Sequence, residues 1–409
     1  MSNLNQRINI LAIFLHTSQW GLRIRGDERR FLELAKRFIT LGAKLIVIEF
    51  APSIQKSYYK TDIYTSIELR NKGLLSVILQ LIYLARKLKN INVIYVYNQD
   101  FSNLLAGLIF KLITFKPLVL VIQSLQDVDL PLRVLRQIYG AGAVDLILIS
   151  LHRYLLLPLA LRLANAVFTV SKTLKDRLTL RYPWIKGRVY VTLNGVDLDK
   201  FKPLNLEKIY DAIFLGRIHV QHKGIDKLLL AWKQIVRKYP RATLILVGGF
   251  ESERDRKILD VFVKKLNLEK NIIVTGFVED YEVVSFLNKA RFFISLSTYE
   301  GFGLSLLEAL VCNVPAIVSD LEVFRELHGN LVFYVNAKDI KELVTVMERI
   351  MFSPYNILVN ESFTRALQSH VKKFSWDLVA TKEFAILKTI SLGSTINKPK
   401  TRSIQISSS

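Results

Sequence analysis

Two carboxylates bracket two glycines in the run Glu300-Gly-Phe-Gly-Leu-Ser-Leu-Leu-Glu308. Phe292 to Ser295 just before it is apolar and strand-like, and Ser297 to Gly303 reads as a loop. Leu304, Leu307, Leu310 and Val311 then recur at helical spacing. Gly301 and Gly303 therefore precede a helix N-terminus, where unpaired N–H groups and the positive dipole end favour an anion and missing Cβ atoms permit close approach. Carboxylates do not themselves hold phosphate, but Glu300 and Glu308 can accept hydrogen bonds from sugar or ribose hydroxyls. A sugar diphosphate suits this combination. A Gly-rich turn before an ordinary core helix with one solvated Glu suits the same residues. A second cluster supplies cations: Tyr210-Asp-Ala-Ile-Phe-Leu-Gly216 reads as a buried strand, followed by Arg217, Lys223-Gly224 and the helical run Ile225 to Tyr239. Arg offers a planar fork of donors and Lys a mobile point charge, so the pair can neutralise a diphosphate without a divalent metal. In a chain with 57 Lys plus Arg, solvated side chains are the plainer reading of either one alone.

These loops need a frame to hold them, and the chain alternates strand-like and helix-like segments almost throughout. That pattern predicts parallel sheets with crossover helices. In the first half strands are expected near Ile8 to Phe14, Lys44 to Phe50, Asn92 to Tyr97, Leu118 to Gln123, Val167 to Ser171 and Arg188 to Leu193. The second half places them near Asp211 to Leu215, Thr243 to Val247, Asn271 to Thr275, Phe292 to Ser295, Ala316 to Ser319 and Leu331 to Val335. Asp27 and Ser171 are expected as N-caps of the helices that follow them. A break falls between Asn194-Gly195 and Pro203, and 409 residues exceed what one core usually supports, so two domains are expected. Open parallel sheets bind ligands beyond the carboxyl ends of their strands, and both the Arg217 loop and the Glu300 loop follow a strand.

Several segments fall in one order: Val167-Phe-Thr-Val-Ser171, Asn194-Gly-Val-Asp197 with Phe201 and Pro203, Gly216-Arg217 with Lys223-Gly224, Gly248-Gly249, Thr275-Gly-Phe277 and the Glu300 to Glu308 block. From about Ile8 to Trp376 the chain resembles the retaining nucleotide-sugar glycosyltransferases of family 4 (group 1). That resemblance implies an α/β GT-B fold, two Rossmann-like parallel-sheet domains facing across a cleft. Residues 1–197 would bind acceptor and residues 198–375 the nucleotide sugar. Residues 376–392 would form a helix returning to the first domain, and 393–409 a disordered tail. The resemblance implies a hexosyl-type glycosyltransferase in which Arg217 and Lys223 hold the donor diphosphate, Glu300 the transferred sugar and Glu308 the ribose hydroxyls. Gly216, Gly301, Phe302, Gly303 and Leu304 would line the donor, and Gly276 and Phe277 would lie near the nucleobase. The plainer reading of Phe277 is a core aromatic. On the acceptor side the chain departs from the family. Gly21 and Gly26 are the only loop glycines left after the first strand, and Gln123, Ser124, Gln126 and Asp127 stand where many members carry a His. Gly21, Gln123 and Asp127 are the acceptor-side candidates.

Composition limits the alternatives. Hydrophobic residues at 51% and charged residues at 22% describe a globular chain. One cysteine, Cys312, gives no disulfide framework, and six scattered histidines give no metal-ligand spacing. No cofactor and no metal are expected besides the nucleotide-sugar donor. Ile8 to Leu15 is too short for a secretory apolar core and reads as a first strand, so a cytoplasmic place is expected. The excess charge sits in the first half: residues 1–200 hold 28 Lys plus Arg against 13 Asp plus Glu, and residues 201–409 hold 29 against 22. A basic first domain suits a glycan or lipid-linked anionic acceptor and an anionic membrane face, with the enzyme peripheral on its inner side. Generic basicity explains the same numbers. The apolar run Ala141 to Val170 is broken by Asp145, His152, Arg153, Pro158 and Arg162, so it does not make a clean span. It reads as a buried helix between strands, or as a surface segment with Arg153 and Arg162 turned toward headgroups. No zinc-finger, RNP-type or basic-helix motif supports nucleic acid as a partner. Nucleotide-sugar epimerisation or hydrolysis on the same architecture, or a basic protein that binds membranes or nucleic acid without catalysis, are the competing readings.

Overall fold

A computed structural model of the chain describes residues 7–15, 26–50, 64–70, 73–139, 142–353 and 360–393. The first sheet comprises β1 (Ile8–Ile13), β2 (Ala43–Phe50), β3 (Thr65–Leu69), β4 (Val93–Tyr97), β5 (Leu118–Ile122), β6 (Ala166–Thr169) and β7 (Val189–Val191). Its order is β3-β2-β1-β4-β5-β6-β7, and every pairing is parallel. The second comprises β8 (Tyr210–Leu215), β9 (Leu244–Val247), β10 (Ile272–Gly276), β11 (Ala290–Ser295), β12 (Ala316–Ser319) and β13 (Phe333–Val335). It runs β10-β9-β8-β11-β12-β13, again wholly parallel. Central strands such as VIYVY in β4 and LVLVI in β5 are buried at every position, as strands covered on both faces must be. β3 is the strand that sequence reading missed. It sits at a sheet edge, four of its five residues are at least partly exposed, and no apolar run marks it.

In each sheet the strand order reverses once, between β1 and β4 and again between β8 and β11. A doubly wound sheet opens a crevice at that point, because the connections leave to opposite faces. The β8 and β11 loops, which carry the predicted cations and carboxylates, flank the second of these crevices.

The last described helix, Trp376–Ser391, packs on the helix Gly26–Thr40 and beside β4. Trp376, Val379, Ala380, Phe384, Leu387 and Ile390 enter the same apolar cluster as β1 and β4 residues. A buried ion pair, Arg30 to Glu383, ties the two helices together, with neither side chain exposed to water. Tyr95 donates its hydroxyl to Glu383 Oε2 at 2.7 Å, and Arg30 Nε donates to Asn194 Oδ1. The chain thus crosses between sheets twice at one place, where Val196 N donates to Phe374 O at 2.8 Å. Beyond Gly393 the expected tail lies outside the described residues.

Two local expectations change. The first helix already begins at Gly26, so Asp27 stands inside its first turn and is not its cap. Ser171 does cap the helix Lys172–Arg181, its Oγ accepting from Leu174 N at 3.2 Å. Arg153 does not reach outward with Arg162: it is buried and donates to Leu130 O at 2.6 Å.

Candidate active site

The β8 loop is folded onto the β11 loop by backbone contacts that require a glycine. Gly224 has φ 66°, and a Cβ there would lie 2.2 Å from Leu296 O. Thr298 N donates to His222 O at 2.9 Å, closing the same seam. Lys223 is thereby delivered to Glu300: its Nζ lies 2.6 Å from Glu300 Oε1, and Ser297 Oγ donates to that oxygen at 2.9 Å. Burial disfavours the charged form of Glu300, but Lys223, His222 and the hydrogen bonds from Lys223 and Ser297 outweigh it and hold the carboxyl below its ordinary range. The result is a charged carboxylate at the strand end with one face already taken by an ammonium group.

Arg217 behaves differently. Its guanidinium pairs with Glu251, from the loop after β9, at 2.5 Å, and half of the side chain is exposed. Arg217 and Lys223 therefore grip separate carboxylates at the two sides of the β8 loop. They still act on common neighbours, since both help lower the pKa of His219 and of His222. Gly216 at the strand end has φ 141°, and its N–H donates to Val247 O at 2.9 Å. Glu251 and His222 were not singled out from sequence, which gave no sign that β9 would set a carboxylate opposite Arg217.

Gly303 opens the helix Leu304–Val311 with φ 92°, and a Cβ there would meet Phe324 at 2.5 Å. Leu304 is partly buried against the core. Phe302 is buried with its ring edge-on to Phe374, centroids 5.7 Å apart, so its side chain anchors the loop and leaves its main chain as the part that can face a donor. Glu308 is buried too. Its carboxylate is held by Arg29 of the first domain, which also binds Asp280, and Lys200 binds Asp280 in turn. Burial pushes the Glu308 carboxyl above its ordinary value, offset only in part by Arg29. Sequence reading missed Arg29; the tandem Arg29-Arg30 in the first helix was the available signal.

From the first domain the β5 loop meets the Glu300 loop directly. Leu125 N donates to the Tyr299 hydroxyl at 2.9 Å, and a Cβ on Gly301 would lie 2.0 Å from Gln123 O. Gln123 Nε2 is buried with no hydrogen-bond partner among the described residues. A buried amide left unpaired costs about 1–3 kcal/mol. Asp127 stands in the short helix Gln126–Asp129, and Gly21 lies outside the described residues. On the far side of the site Gly276 has φ 71° with open space around it. Phe277 beside it is 44% exposed, against its reading as a core aromatic. Among the described residues no three His, Cys, Asp or Glu side chains converge as metal ligands.

The buried histidines predict a pH dependence. Burial lowers His222 and His152 to about 4, with charged neighbours adding to the shift. The folded protein therefore binds fewer protons than the unfolded chain between the ordinary value of 6.5 and about 4. Their contribution to stability is complete above 6.5 and is lost as pH falls from there through about 4. Thermal unfolding across that interval should show a falling midpoint before ordinary carboxylates titrate, with a shallower fall in His222→Gln. An identical pH profile in that variant would remove His222 from the account.

Residues 196–362 match the family described as "Glycosyl transferases group 1", and residues 24–200 match "Glycosyltransferase Family 4". A phosphatidyl-myo-inositol mannosyltransferase of Mycobacterium tuberculosis is 26% identical over 215 residues, 48% of this chain and 53% of that one. The chain spans about half the length of the curated relatives it matches. Among solved structures, a sucrose-phosphate synthase from Thermosynechococcus elongatus superposes with a TM-score of 0.75 over 95% of this chain and 100% of its own, at 18% identity. Anabaena HepE in complex with UDP and glucose does so with a TM-score of 0.73 over 93% and 100%, at 19% identity. These likenesses identify the two facing parallel-sheet domains as the GT-B fold.

Proposed function

We propose that this chain, which belongs to the group 1 glycosyltransferases, transfers a hexose-type sugar from a nucleotide-diphosphate sugar to an acceptor hydroxyl, with retention of configuration and without a metal ion. One observation carries the reading: Lys223 and Glu300 meet at the carboxyl ends of β8 and β11, where the strand order of the second sheet reverses. A diphosphate lying there would face the Lys223 ammonium group, the Arg217 guanidinium and the N–H groups that open the Leu304–Val311 helix. Glu300, charged and already fixed by Ser297, is suited to accept hydrogen bonds from sugar hydroxyls. Glu308 would take the ribose once Arg29 releases it, and exposed Phe277 offers a flat face to the base.

In this reaction the bond from the anomeric carbon to the phosphate oxygen breaks, and its electron pair leaves with the diphosphate. The cations and amide dipoles stabilise that growing charge. The acceptor oxygen bonds to the anomeric carbon from the face the diphosphate leaves, and its proton passes to the departing phosphate oxygen. No protein nucleophile takes part. A relative that acts as a phosphatidyl-myo-inositol mannosyltransferase and the basic first domain support a glycan or lipid-linked acceptor, handled on the cytoplasmic side of a membrane.

A thermal-shift panel of UDP-, GDP- and ADP-sugars tests the donor half, because a ligand of the folded state raises the midpoint by mass action. At a hundredfold excess over Kd the gain is about 2.7 kcal/mol, several degrees for a protein of this size. One nucleotide series should shift the midpoint and the others not. Absence of any shift at saturating concentrations, or consumption of donor at full rate without acceptor, would overturn the proposal.

A further inference from the structure

The helix between β5 and β6 is apolar on both of its faces. Ala143–Leu163 runs as one continuous helix with a π turn at His152–Leu156. Its inner face, including Leu156, Leu157, Ala160 and Leu161, is buried in the first domain. Its outer face carries Val144, Ile147, Tyr154 and Leu155, exposed by 69%, 66%, 65% and 58%, with Leu151 and Leu159 between and beyond them. That row is ~22 Å long at 1.5 Å per residue. The helix packs beside Phe101–Thr114, which packs beside Leu74–Lys87. Both neighbours continue the surface, with Leu112 and Phe115 on one and Leu75, Leu79 and Tyr83 on the other. Apolar side chains exposed across three adjacent helices exceed the scattered singles of an ordinary surface.

The charge around this face has one sign. Residues 74–89, 101–116 and 143–163 hold seven Lys and Arg against a single acidic residue, Asp145. Of the seven, Arg86, Lys87, Lys89 and Arg162 are exposed. The helix is long and apolar enough to cross a membrane, but its inner face is committed to the domain core, so it can only lie along a bilayer.

We propose that this three-helix face seats the protein on an anionic lipid bilayer, its apolar side chains entering the interface and its cations meeting the headgroups. The proposal deepens the function above and rests on its membrane-side acceptor. A second copy of the chain is a poorer occupant, because a two-fold contact through this face would set one cationic rim against the other. The placement also serves the reaction. The helix runs from the β5 side of the molecule, where Gln123 and Leu125 touch the Glu300 loop, back to the start of β6. A bilayer on its outer face therefore presents headgroups beside the cleft.

Sedimentation of the full chain with phosphatidylglycerol-rich and with pure phosphatidylcholine vesicles, carrying neither donor nor acceptor, tests this. The wild type should bind the anionic vesicles and be released by salt. Ile147→Glu with Leu155→Glu, both on the exposed row, should weaken binding at least about tenfold, since each forfeits burial of one large aliphatic side chain. Arg86→Ala with Arg162→Ala should weaken binding to anionic vesicles only, about fivefold per charge. The Glu variant's unfolding midpoint and nucleotide-sugar shift should match the wild type, so a failed donor reading and a failed membrane reading are separate results. Equal binding by wild type and Glu variant, or equal binding to both lipid compositions, overturns the proposal. So does wild-type self-association in velocity sedimentation that the Glu variant abolishes, which would give the face to a second copy.

Discussion

Lys223→Ala should lower kcat by about 10²–10³, the loss typical of removing one preorganised group that meets developing charge. The affinity for donor should change far less, because the ammonium group gains most as the diphosphate departs. The variant has a second consequence that must be separated from the first. Lys223 and Glu300 are each only 18% exposed and pair at 2.6 Å, so deleting the lysine leaves a largely buried carboxylate without its cation. Lys223→Ala should therefore melt earlier as well as turn over slowly. Adding Glu300→Gln removes the stranded charge while keeping an amide that Ser297 can still address, so the double variant should recover stability and remain inactive. Recovery of both would show that Lys223 serves the fold alone. Arg217→Ala should follow the same direction in turnover with little change in melting, since its partner Glu251 is reached by a half-exposed side chain. Near-normal transfer by both single alanine variants would remove the electrostatic mechanism.

What the sequence disclosed and what it hid divide along one physical line. Strands buried on both faces are unbroken apolar runs, so β4, β5 and β9 could be read directly, whereas β3 at the edge has no such run. The phosphate-suited loops were legible because their glycines are forced by local geometry: Gly224 and Gly303 have positive φ and Cβ positions already occupied. Contacts made across the chain were not legible. Arg29 reaches Glu308 over 279 positions, and nothing local to either residue announces the pairing. Arg217 lay in the expected loop but found Glu251, because which carboxylate faces a cation depends on how β8 and β9 are laid side by side. That the Phe302 ring turns into the core while Phe277 stays at the surface was hidden for the same reason. Residue type told which chemistry was available, and only the fold told which side chains could share it.

Gly301→Ala should disable the enzyme without unfolding it. A Cβ at this position would stand 2.0 Å from Gln123 O, a main-chain atom of the other domain that has no flexible end to yield. Gly301 is not among the residues with positive φ, so alanine strains nothing within its own loop. The clash exists only when the two domains are in the contact seen here, where the Tyr299 hydroxyl accepts from Leu125 N and Arg29 spans to Glu308. Relief requires the domains to part by something on the order of 1 Å, a displacement that at reacting atoms can cost about 10²-fold in rate. The expected outcome is thus a nearly wild-type melting curve, retained nucleotide-sugar binding in the second domain, and kcat lower by roughly two orders of magnitude. Gly276→Ala is the informative control. It has φ 71° and nothing within 4 Å, so it should cost about 1–2 kcal/mol of local strain while leaving closure intact. Hydrogen exchange at the Leu125 N–H, which the Tyr299 hydroxyl accepts from across the domain contact, would show the difference, rising in the Gly301 variant and unchanged in the control. If Gly301→Ala turns over at the wild-type rate, the contact between Gly301 and Gln123 does not belong to the working state.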